Sequence, residues 1–522
     1  MKYFILIIAS VISMLSSTKA QTKQWVYFTD KANVNYNPSK YLSKKTIEKR
    51  LKQGISLNQY SDWPLNQNYI EVVSLLSDSV GFQSRWFNAI VVWTDNERIA
   101  QIQNLPFVLK TELAQPMNSV LADFKTEDAD TDDYQLLAEQ QIELMQGQLF
   151  EPLKIDGSGI RIAIFDGGFP NVDKAPEFEH IRNAGHIIAT RDFTKNKDFV
   201  YYSSTHGTMV LSNIGGIWNQ HKLGLATNAE FLLAKTEVGL EPFAEEEYWL
   251  AAVEWADQQG ADIINSSLGY THHRYFRDQM DGTSLVARAA NMAVSKGILV
   301  VNAAGNEGEQ SFWKYIGTPA DADSVLSIGG IDPETGYHIS FSSYGPTADG
   351  RAKPNVSAMG KVVVVSKKGI TTAYGTSFAS PLAAGFAACV LQMNPNFDVH
   401  QLFDAIQKSA TLYPYYDYAH GFGIPQASYF TQARHENTMA TFRFKNNDNL
   451  VDVEILNHVE YIPGQRNYLY YHIKRPDGKV IDYGLVDVIE KDAWALNINN
   501  YENGDLICVH FHGYTSTFKI EK

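Results

Sequence analysis

Short apolar segments alternate with helical patterns between residues 159 and 302, and this alternation restricts the fold more than any other feature of the sequence. It predicts strands over residues 160–165, 230–235, 262–266 and 298–302, and helices over residues 245–259 and 284–296. Strands that alternate with helices form a parallel sheet covered by helices on both faces. Functional side chains in such sheets gather at the carboxyl ends of the strands, so we look for a site there.

Two further regions flank this α/β region. The segment after residue 20 predicts a small α+β unit, with strands near residues 25–29, 85–93 and 107–109 and helices near 43–53 and 96–98. After residue 433, short alternating segments such as 450–455 and 467–473 predict a separate β domain. A chain of 522 residues exceeds what one core supports, so several domains are expected.

The first twenty residues have the order of a secretory signal peptide. Lys2 precedes an apolar run over residues 3–15, and the small residues Thr18 and Ala20 follow. A membrane anchor is the alternative, but the run is shorter than the roughly 20 residues that span a bilayer. We expect cleavage after Ala20 and a secreted protein, extracellular or on the outer cell surface, whose mature form has no transmembrane segment.

Charge is unevenly distributed along the chain. The net charge of -14 argues against nucleic acid as the main partner. Residues 21–114 carry +3, whereas the residues after them carry -19. Opposite net charges suit two parts of a protein that dock onto each other. The two cysteines, Cys389 and Cys508, fall in different predicted domains, so no disulfide framework is expected.

Ser377 lies at the predicted amino end of a buried helix, within the segment Gly-Thr-Ser-Phe-Ala-Ser-Pro at residues 375–381. The amide groups and dipole at a helix start can stabilise the negative charge that develops when a serine oxygen attacks a carbonyl. A serine that only caps the helix is an equally good interpretation of this residue alone.

Three other residues could assist such a serine. His206 opens another predicted helix and could accept the hydroxyl proton, and Asp166 ends an apolar strand and could orient the imidazole. Asn306 follows a further strand, and its amide could donate to an oxyanion. Taken singly, each has an ordinary alternative as a core, surface or turn residue. Their chain order, Asp, His, Asn, Ser, is what makes the set specific.

These segments resemble the signature segments of subtilases, the subtilisin-like serine proteases of peptidase family S8. The resemblance lies in residues 162–168, 206–208, 304–306 and 375–381, extends to 265–269, 317–320, 341–346 and 353–357, and covers about residues 155–433. It implies a subtilisin-like α/β fold and a serine endopeptidase with Ser377 as nucleophile and His206 as base. Asp166 would orient the base, and the Asn306 amide with the Ser377 N–H would hold the oxyanion.

The resemblance also implies where a protein or peptide substrate binds. Residues Ser267, Leu268 and Gly269 would pair with its backbone, and Ala303, Ala304, Gly305 and Gly317 would form the walls and floor of the pocket before the cut. No acidic residue is expected at that floor, which favours uncharged, apolar substrate side chains. No cofactor is needed for the chemistry.

Three positions depart from the usual family pattern. Gly167 stands where Thr or Ser is common, so the hydrogen bonding of the neighbouring Asp166 is open. Met209 replaces a common second histidine, and Met359 replaces a usual proline, which could loosen the turn before the nucleophile. None of the three changes removes a catalytic group.

The resemblance divides the chain into five parts. They are a signal peptide (1–20), a ferredoxin-like prodomain that assists folding and inhibits the protease (21–115), a linker with the processing region (116–150), a catalytic domain (151–433) and a C-terminal β domain (434–522). The last part faintly resembles the β-sandwich sorting domains of type IX secretion, with a stability or substrate-binding module as the alternative. His510 and His512 share a predicted strand face there, where a solvated edge is favoured over a metal site.

The linker also carries a partial calcium-loop pattern. Asp128, Asp130, Asp132 and Glu139 match its ligand positions, but Asp133 stands where the loop needs glycine. An exposed linker open to proteases is therefore the favoured interpretation, and structural calcium stays an open alternative.

Two rival functions are weighed against a subtilase. A catalytically silent binding protein with this fold is disfavoured because all four catalytic positions hold competent residues. A metalloprotease is disfavoured because Met439 stands where the second histidine of a His-Glu-x-x-His motif would follow His435.

Overall fold

The computed structural model describes residues 21–114, 125–127, 131–238, 245–432, 439–447, 449–461, 466–488 and 493–521. The predicted signal peptide therefore lies outside the described residues. The chain divides into two compact units, of which the first comprises residues 1–36 and 58–115, and the second residues 37–57 and 116–522. Residues 37–57 thus group with the second unit, although the expected prodomain boundaries include them.

The amino-terminal region alternates strands with helices. Its strands are β1 (Thr22–Phe28), β2 (Ser79–Ser84), β3 (Ala89–Thr94) and β4 (Val108–Leu113), and its helices are α1 (Pro38–Tyr41), α2 (Lys44–Lys52), α3 (Gln67–Leu75) and α4 (Asn96–Gln103). Within the first unit the order is β1, α3, β2, β3, α4, β4, and the sheet is antiparallel in the order β2-β3-β1-β4. This is the ferredoxin-like arrangement that was predicted.

The apolar faces of these elements explain why the first unit folds. Val26 and Phe28 of β1 meet Ile90 and Val92 of β3 in one buried cluster, which both helices cover. The carboxylate of Asp95 caps α4 by accepting hydrogen bonds from the Glu97 and Arg98 amides.

The second unit is built on a large parallel sheet. Its strands up to residue 374 are β5 (Lys125–Glu127), β6 (Arg161–Asp166), β7 (Ile187–Asp192), β8 (Ile217–Trp218), β9 (His221–Lys222), β10 (Glu230–Lys235), β11 (Ile263–Ser266), β12 (Leu299–Ala303), β13 (Leu326–Ile331), β14 (Val356–Met359), β15 (Lys361–Ser366) and β16 (Gly369–Tyr374). Its helices are α5 (Thr131–Glu143), α6 (Glu179–Asn183), α7 (His206–Gly215), α8 (Glu245–Gln259), α9 (Leu285–Ser295), α10 (Thr376–Met393), α11 (Val399–Lys408) and α12 (Ser428–Thr431).

Seven of these strands form the parallel sheet, in the order β14-β13-β12-β11-β6-β10-β7. Helices α7 and α10 pack against each other, as do α8 and α9, and the sheet lies between helices as predicted. Strands β6, β10, β11 and β12 fall within one residue of their predicted bounds, because nearly all of their residues are buried and each contains a short apolar run. The edge strand β7, most of whose residues are only partly buried, was not predicted, and neither were the buried strands β13 and β14.

The polar stretch predicted as an exposed linker differs from that expectation. Helix α5 occupies residues 131–143 and buries Tyr134, Ala138 and Ile142, which repeat every four residues along one face. The buried amide of Gln141 donates to the Leu223 carbonyl at 2.6 Å and accepts from the Val363 N–H at 2.9 Å. Charged and polar residues outnumber the apolar residues of this stripe, so the sequence pattern did not indicate a helix here. Asp128 and Asp130 of the partial calcium pattern lie outside the described residues.

After residue 439 the chain forms two antiparallel sheets. One contains β17 (Phe442–Asn447), β18 (Leu450–Ile455) and β21 (Ala493–Asn497), and the other contains β19 (Tyr468–Lys474), β20 (Val480–Asp487), β22 (Leu506–Phe511) and β23 (Tyr514–Lys519). Val451 and Val453 from the first sheet share a buried cluster with Leu469 and Val509 from the second, so the predicted β domain is a sandwich.

Two histidines of this sandwich do not share a strand face as expected. His510 is buried on β22 and its Nδ1 lies 2.8 Å from the Thr515 hydroxyl, whereas His512 lies in the following turn with a φ of 47°. Among the residues that the structure describes, no group of three or more His, Cys, Asp or Glu side chains is arranged to hold a metal ion.

Polar contacts join the sandwich to the α/β domain. The Tyr415 hydroxyl donates to the Tyr471 carbonyl at 2.9 Å, and His472 Nδ1 lies 2.6 Å from the Tyr416 carbonyl. Tyr415 also packs with Leu412 and Cys508 in a small apolar cluster. Cys389 and Cys508 are both buried and free, in agreement with the expected lack of a disulfide framework.

One helix of the described part of the chain, α10, is long and apolar enough to cross a membrane. Buried residues make up 83% of it, because it is the central helix of the α/β domain.

A buried ion pair holds α2 to α8. Arg50 Nη2 lies 2.9 and 2.7 Å from the two carboxylate oxygens of Asp257, and both side chains are 0% exposed. Thr46 donates to the Asp257 carbonyl at 2.8 Å, and the Ser43 N–H donates to the Gln258 carbonyl at 2.8 Å. The cationic helix α2 thus satisfies carbonyls at the C-terminal end of α8, where positive charge is favoured.

We predict that Arg50→Met lowers the free energy of unfolding by about 3 to 5 kcal/mol, because it leaves the Asp257 carboxylate buried without its cation. Urea unfolding of the uncut Ser377→Ala precursor, which retains α2, measures the change. The double variant Arg50→Met/Asp257→Leu should recover most of the loss, since it removes both charges. Lys44→Met, on the exposed face of the same helix, is the control, and an equal loss in that variant would contradict the prediction.

Acid should weaken the interface around the sandwich. Burial lowers the pKa of His338, His472 and His510 to about 4 each. In the unfolded chain a histidine takes up its proton near pH 6.5. The contribution of these histidines to the free energy of unfolding is therefore fully present above about pH 6.5. It falls as the pH drops from there toward 4, by about 1.4 kcal/mol per pH unit for each histidine.

Urea unfolding at several pH values between 7 and 4.5 tests this dependence. His472→Gln should reduce the slope of unfolding free energy against pH by the contribution of one histidine. The exposed His400→Gln is the matched control and should leave the slope unchanged. An unchanged slope in the His472 variant would refute the assignment.

Candidate active site

Two strand ends and two helix starts meet at the carboxyl edge of the parallel sheet. Asp166 is the last residue of β6, an inner strand of the sheet, and His206 is the first residue of α7. Ser377 is the second residue of α10, and Asn306 follows β12 by three residues. The parallel arrangement brings these four residues, far apart in sequence, to one edge.

Asp166 and His206 form a buried pair. His206 Nδ1 lies 2.8 Å from Asp166 Oδ2, and the two residues are 5% and 0% exposed. The other carboxylate oxygen, Oδ1, accepts from the Gly167 N–H at 2.7 Å. Both carboxylate oxygens are thus engaged, which offsets the cost of burying the carboxylate.

Glycine at position 207 allows this close approach. A Cβ there would lie 2.4 Å from the Gly168 carbonyl oxygen and 2.9 Å from the Asp166 Cβ, so any larger residue would push α7 away from β6. The contact explains why the helix that carries His206 has glycine as its second residue.

A chain of buried hydrogen bonds ties the start of α10 to β11. The Ser380 hydroxyl donates to the Asn265 side chain at 2.8 Å, and the Asn265 amide donates to the Ser267 hydroxyl at 3.0 Å. Ser267 Oγ then donates to the Ser377 carbonyl at 2.8 Å, while Ser377 Oγ donates to the Ser267 carbonyl at 3.2 Å. The backbone around Ser377 is therefore held from two sides.

The Asn306 side chain is oriented by the residue before Ser377. Its Oδ1 accepts from the Thr376 N–H and from the Thr376 hydroxyl, each at 2.9 Å. With the oxygen directed at Thr376, the amide nitrogen faces Gly375, where a Cβ would lie 3.5 Å from it. Gly375 has a φ of 153°, a left-handed conformation that favours glycine.

A cleft of about 1000 Å³ opens beside Ser377. Ser377 and Asn306 line it, and so do all seven residues predicted to bind substrate. The seven are Ser267, Leu268, Gly269, Ala303, Ala304, Gly305 and Gly317. At Gly317 a Cβ would lie 2.8 Å from the Tyr270 carbonyl oxygen, so a side chain there would collide with the opposite wall.

The cleft is more acidic than the sequence indicated. Glu307 lines the cleft two residues after the predicted pocket residue Gly305, and its carboxylate accepts from the Ser343 hydroxyl at 2.9 Å. Burial raises the pKa of Glu307. Glu237 also lines the cleft and accepts from the Tyr270 hydroxyl at 3.2 Å, and burial followed by the nearby Glu245 raises its pKa well above the usual value. The sequence could not reveal these neighbours, because the residues come from three separate loops.

The structure shows the surroundings of the three unusual positions. The space beside Gly167 is taken by Ser204, whose Cβ would lie 3.0 Å from a Cβ at position 167 and whose hydroxyl accepts from the His206 N–H at 3.2 Å. Met209 is buried on α7. Met359 is buried at the end of β14, and the turn after it is held by a hydrogen bond of 2.8 Å from Gly360 N–H to the Ile331 carbonyl.

Comparison with known proteins identifies two families in this chain. The subtilase family (Peptidase S8) matches residues 157–434, and the peptidase S8 propeptide domain of Bacteroidota matches residues 23–131.

Individual relatives agree with these matches. Subtilisin E of Bacillus subtilis (strain 168) is 27% identical over 345 residues, which cover 65% of this chain and 80% of the relative. Subtilisin DY of Bacillus licheniformis is 29% identical over 258 residues, covering 49% and 85%, and a subtilisin of Bacillus pumilus is 30% identical over 259 residues, covering 49% and 85%. Since the subtilase match spans more than half of the chain, the protein belongs to the subtilase family and is a serine-type endopeptidase with an amino-terminal propeptide.

Proposed function

We propose that the protein is a secreted endopeptidase that cleaves protein substrates with Ser377 as nucleophile, His206 as general base and Asp166 as the residue that orients the base. The observation that carries the proposal is the buried hydrogen bond of 2.8 Å between His206 Nδ1 and Asp166, at the sheet edge where the helix of Ser377 begins.

The hydrogen bond decides which imidazole nitrogen can act. An Nδ1–H that donates to Asp166 leaves Nε2 as the basic nitrogen. As the Ser377 oxygen forms a bond to the substrate carbonyl carbon, Nε2 takes the hydroxyl proton, and the Asp166 carboxylate stabilises the resulting imidazolium. The same proton then goes to the leaving amine, and water repeats the sequence to release the acid.

The negative oxygen formed in this step needs donors that are already in place. The Asn306 amide, turned by its contacts with Thr376, and the Ser377 N–H at the amino end of α10 would supply them. Donors that are fixed before the reaction cost no reorganisation during it, which is why such groups contribute strongly to catalysis.

The substrate is proposed to lie extended in the cleft, with its backbone along Ser267, Leu268 and Gly269. A Cβ at Gly269 would meet nothing within 4 Å, so the edge there is open to a second chain. The preference for uncharged side chains in the pocket stays a prediction of the sequence, and burial raises the pKa of the neighbouring Glu307.

The propeptide is proposed to inhibit the precursor from within the same chain, so that the protein is made as a zymogen. Residues 21–114 carry a net positive charge and the residues after them a net negative charge, which supports such docking. Export by the signal peptide at residues 1–20 is part of the same proposal. A subtilase needs no cofactor for its chemistry, and structural calcium remains an open expectation.

For the C-terminal domain (434–522) we propose a stabilising role. Its buried contacts through Tyr415 and His472 support a fixed rather than a detachable module. A role in sorting stays a prediction of the sequence resemblance.

We predict that a serine-directed fluorophosphonate labels the processed wild-type protein and does not label Ser377→Ala. Ser340→Ala, which removes an exposed hydroxyl from the same cleft, is the matched control and should label normally. Wild-type protein that resists labelling would favour a catalytically silent binding protein. Activity that survives in Ser377→Ala and disappears with a chelator would favour a metal-dependent hydrolase.

We predict that Asn306→Ala lowers kcat by about 100- to 1,000-fold, the magnitude known for the corresponding amide in a subtilisin, with little change in KM. The amide is proposed to act on the oxyanion and not on the bound substrate. Steady-state kinetics on a peptide substrate separate the two constants. A loss confined to KM would show that Asn306 serves binding instead.

A further inference from the structure

Helix α2 belongs to the propeptide by sequence, but its contacts are made with the α/β domain. The propeptide match covers residues 23–131, so the chain on both sides of α2 is propeptide. The helix nevertheless groups with the second unit, where it contacts α8 of the subtilase match. One segment of the propeptide is therefore attached to the protease at a place of its own.

This attachment lies at the opposite edge of the sheet from Ser377. Helix α8 ends at Gln259 and β11 begins at Ile263, so the turn between them lies at the amino edge of the parallel strands. Asp166 and the start of α10 lie at the carboxyl edge. Strand β6 spans the distance between the two edges with six residues, a length of roughly 20 Å.

Two cations of α2 are buried in this surface. Arg50 pairs with the Asp257 carboxylate, and Lys49 Nζ donates to the Ala261 carbonyl. Arg50 is 0% exposed and Lys49 is 8% exposed. A buried charge is costly unless it is paired, so both side chains depend on the oxygen atoms that the protease supplies.

Lys45 reaches the amino ends of three neighbouring strands. Its Nζ donates at 2.5 Å to the carbonyl of Gly159, two residues before β6. The same Nζ lies 3.2 Å from the carboxylate of Asp262, just before β11, and 3.6 Å from that of Glu230, the first residue of β10. Arg161 shares both carboxylates, so Lys45 is not their only cation.

Two glycines shape the surface that receives this segment. Gly260 follows α8 and Gly297 follows α9, with φ values of 82° and 80°, a conformation in which glycine is favoured after a helix. A Cβ at Gly260 would lie 2.9 Å from the Ser43 hydroxyl oxygen, and a Cβ at Gly297 would lie 2.0 Å from the Gln53 side-chain oxygen. The absent side chains thus make room for both ends of the segment 43–53.

We propose that the amino edge of the sheet is a binding surface for the propeptide that is separate from the cleft, and that α2 occupies it. Residues 43–53 contain five Lys or Arg and one Glu, a net charge of +4, and they face the carboxylates of Glu230, Asp257 and Asp262. This local complementarity is sharper than that between the two parts of the chain as wholes.

The consequence is that the anchor at α2 determines how long the propeptide stays on the protease once the chain between them has been cut. The inference rests on the proposed inhibition of the protease by its propeptide, and it adds a control point remote from the cleft. Residues 43–53 and 257–262 are absent from the lining of the cleft that the described residues form. Changes at the anchor should therefore alter retention without altering kcat of the free protease.

Retention is measured after a controlled cut. A recognition sequence for an added, sequence-specific protease is inserted between Ala114 and Lys125 of the Ser377→Ala precursor, and the cut chain is analysed by gel filtration at decreasing concentrations. We expect the two parts to co-elute with wild-type α2. In Arg50→Met their dissociation constant should rise at least ~100-fold, because the Asp257 carboxylate loses its cation.

Three further variants separate the anchor from a general loss of folding. Arg50→Met/Asp257→Leu removes both charges and should recover most of the retention. Thr46→Val keeps the shape of a buried residue but removes its hydrogen bond to the Asp257 carbonyl, and it should weaken retention by ~10-fold. Lys44→Met, on the exposed face of α2, is the control and should stay within about twofold of wild type. Equal dissociation constants for wild type, Arg50→Met and Thr46→Val would overturn the proposal.

The same cut in the chain with Ser377 intact distinguishes the anchor from the proposed function. Peptide hydrolysis is followed at a concentration at which the Arg50→Met parts separate and the wild-type parts do not. We expect full activity in Arg50→Met and inhibited protease in the wild type. Full activity in both, while the wild-type parts still co-elute, would overturn the proposed inhibition and leave the binding surface in place. No activity in either would overturn the proposed role of Ser377.

Discussion

The buried carboxylate of Asp166 is the constraint on which the rest of the site depends. A carboxylate at the end of a fully buried strand is costly unless its oxygens are engaged. Here one oxygen meets the Gly167 N–H and the other meets His206 Nδ1. The second contact requires α7 to start close to β6, and Gly207 makes that approach sterically feasible. One strand end therefore determines where a helix begins and how its first side chain is oriented.

The helix of Ser377 is positioned by a different kind of contact. Its first turn is linked to β11 through Asn265 and Ser267, and to the loop after β12 through Thr376 and Asn306. The bonds through Asn265 and Ser267 are buried, that between Thr376 and Asn306 is partly buried, and a buried polar group that lost its partner would cost about 1 to 3 kcal/mol. The requirement that every buried polar group be satisfied thus gives the α10 start a single orientation relative to both strands.

The parts added to the α/β domain use polar contacts of the same kind. Helix α2 caps the end of α8 through the buried pair of Arg50 and Asp257. The sandwich is joined through Tyr415 and His472, and β5 adds its backbone to the exposed edge of β16. Ion pairs and neutral histidines respond to pH, whereas backbone pairing does not, so these attachments differ in what would release them.

The sequence by itself determined the central strands, the helices α8 and α9 and the set of candidate residues, and its resemblance to subtilases implied the ferredoxin-like unit, of which α3 and β2 were not predicted from the pattern. It could do so because buried parallel strands are continuous apolar runs, and because Asp166, His206, Asn306 and Ser377 each stand at a recognisable strand end or helix start. Only the tertiary structure decided the rest. Four features depend on residues distant in sequence. They are the acidic wall of the cleft, the filling of the space beside Gly167 by Ser204, the folding of the polar stretch into α5 and the pairing of β5. Local patterns report which face of a segment is apolar, but they do not report which distant segment covers it.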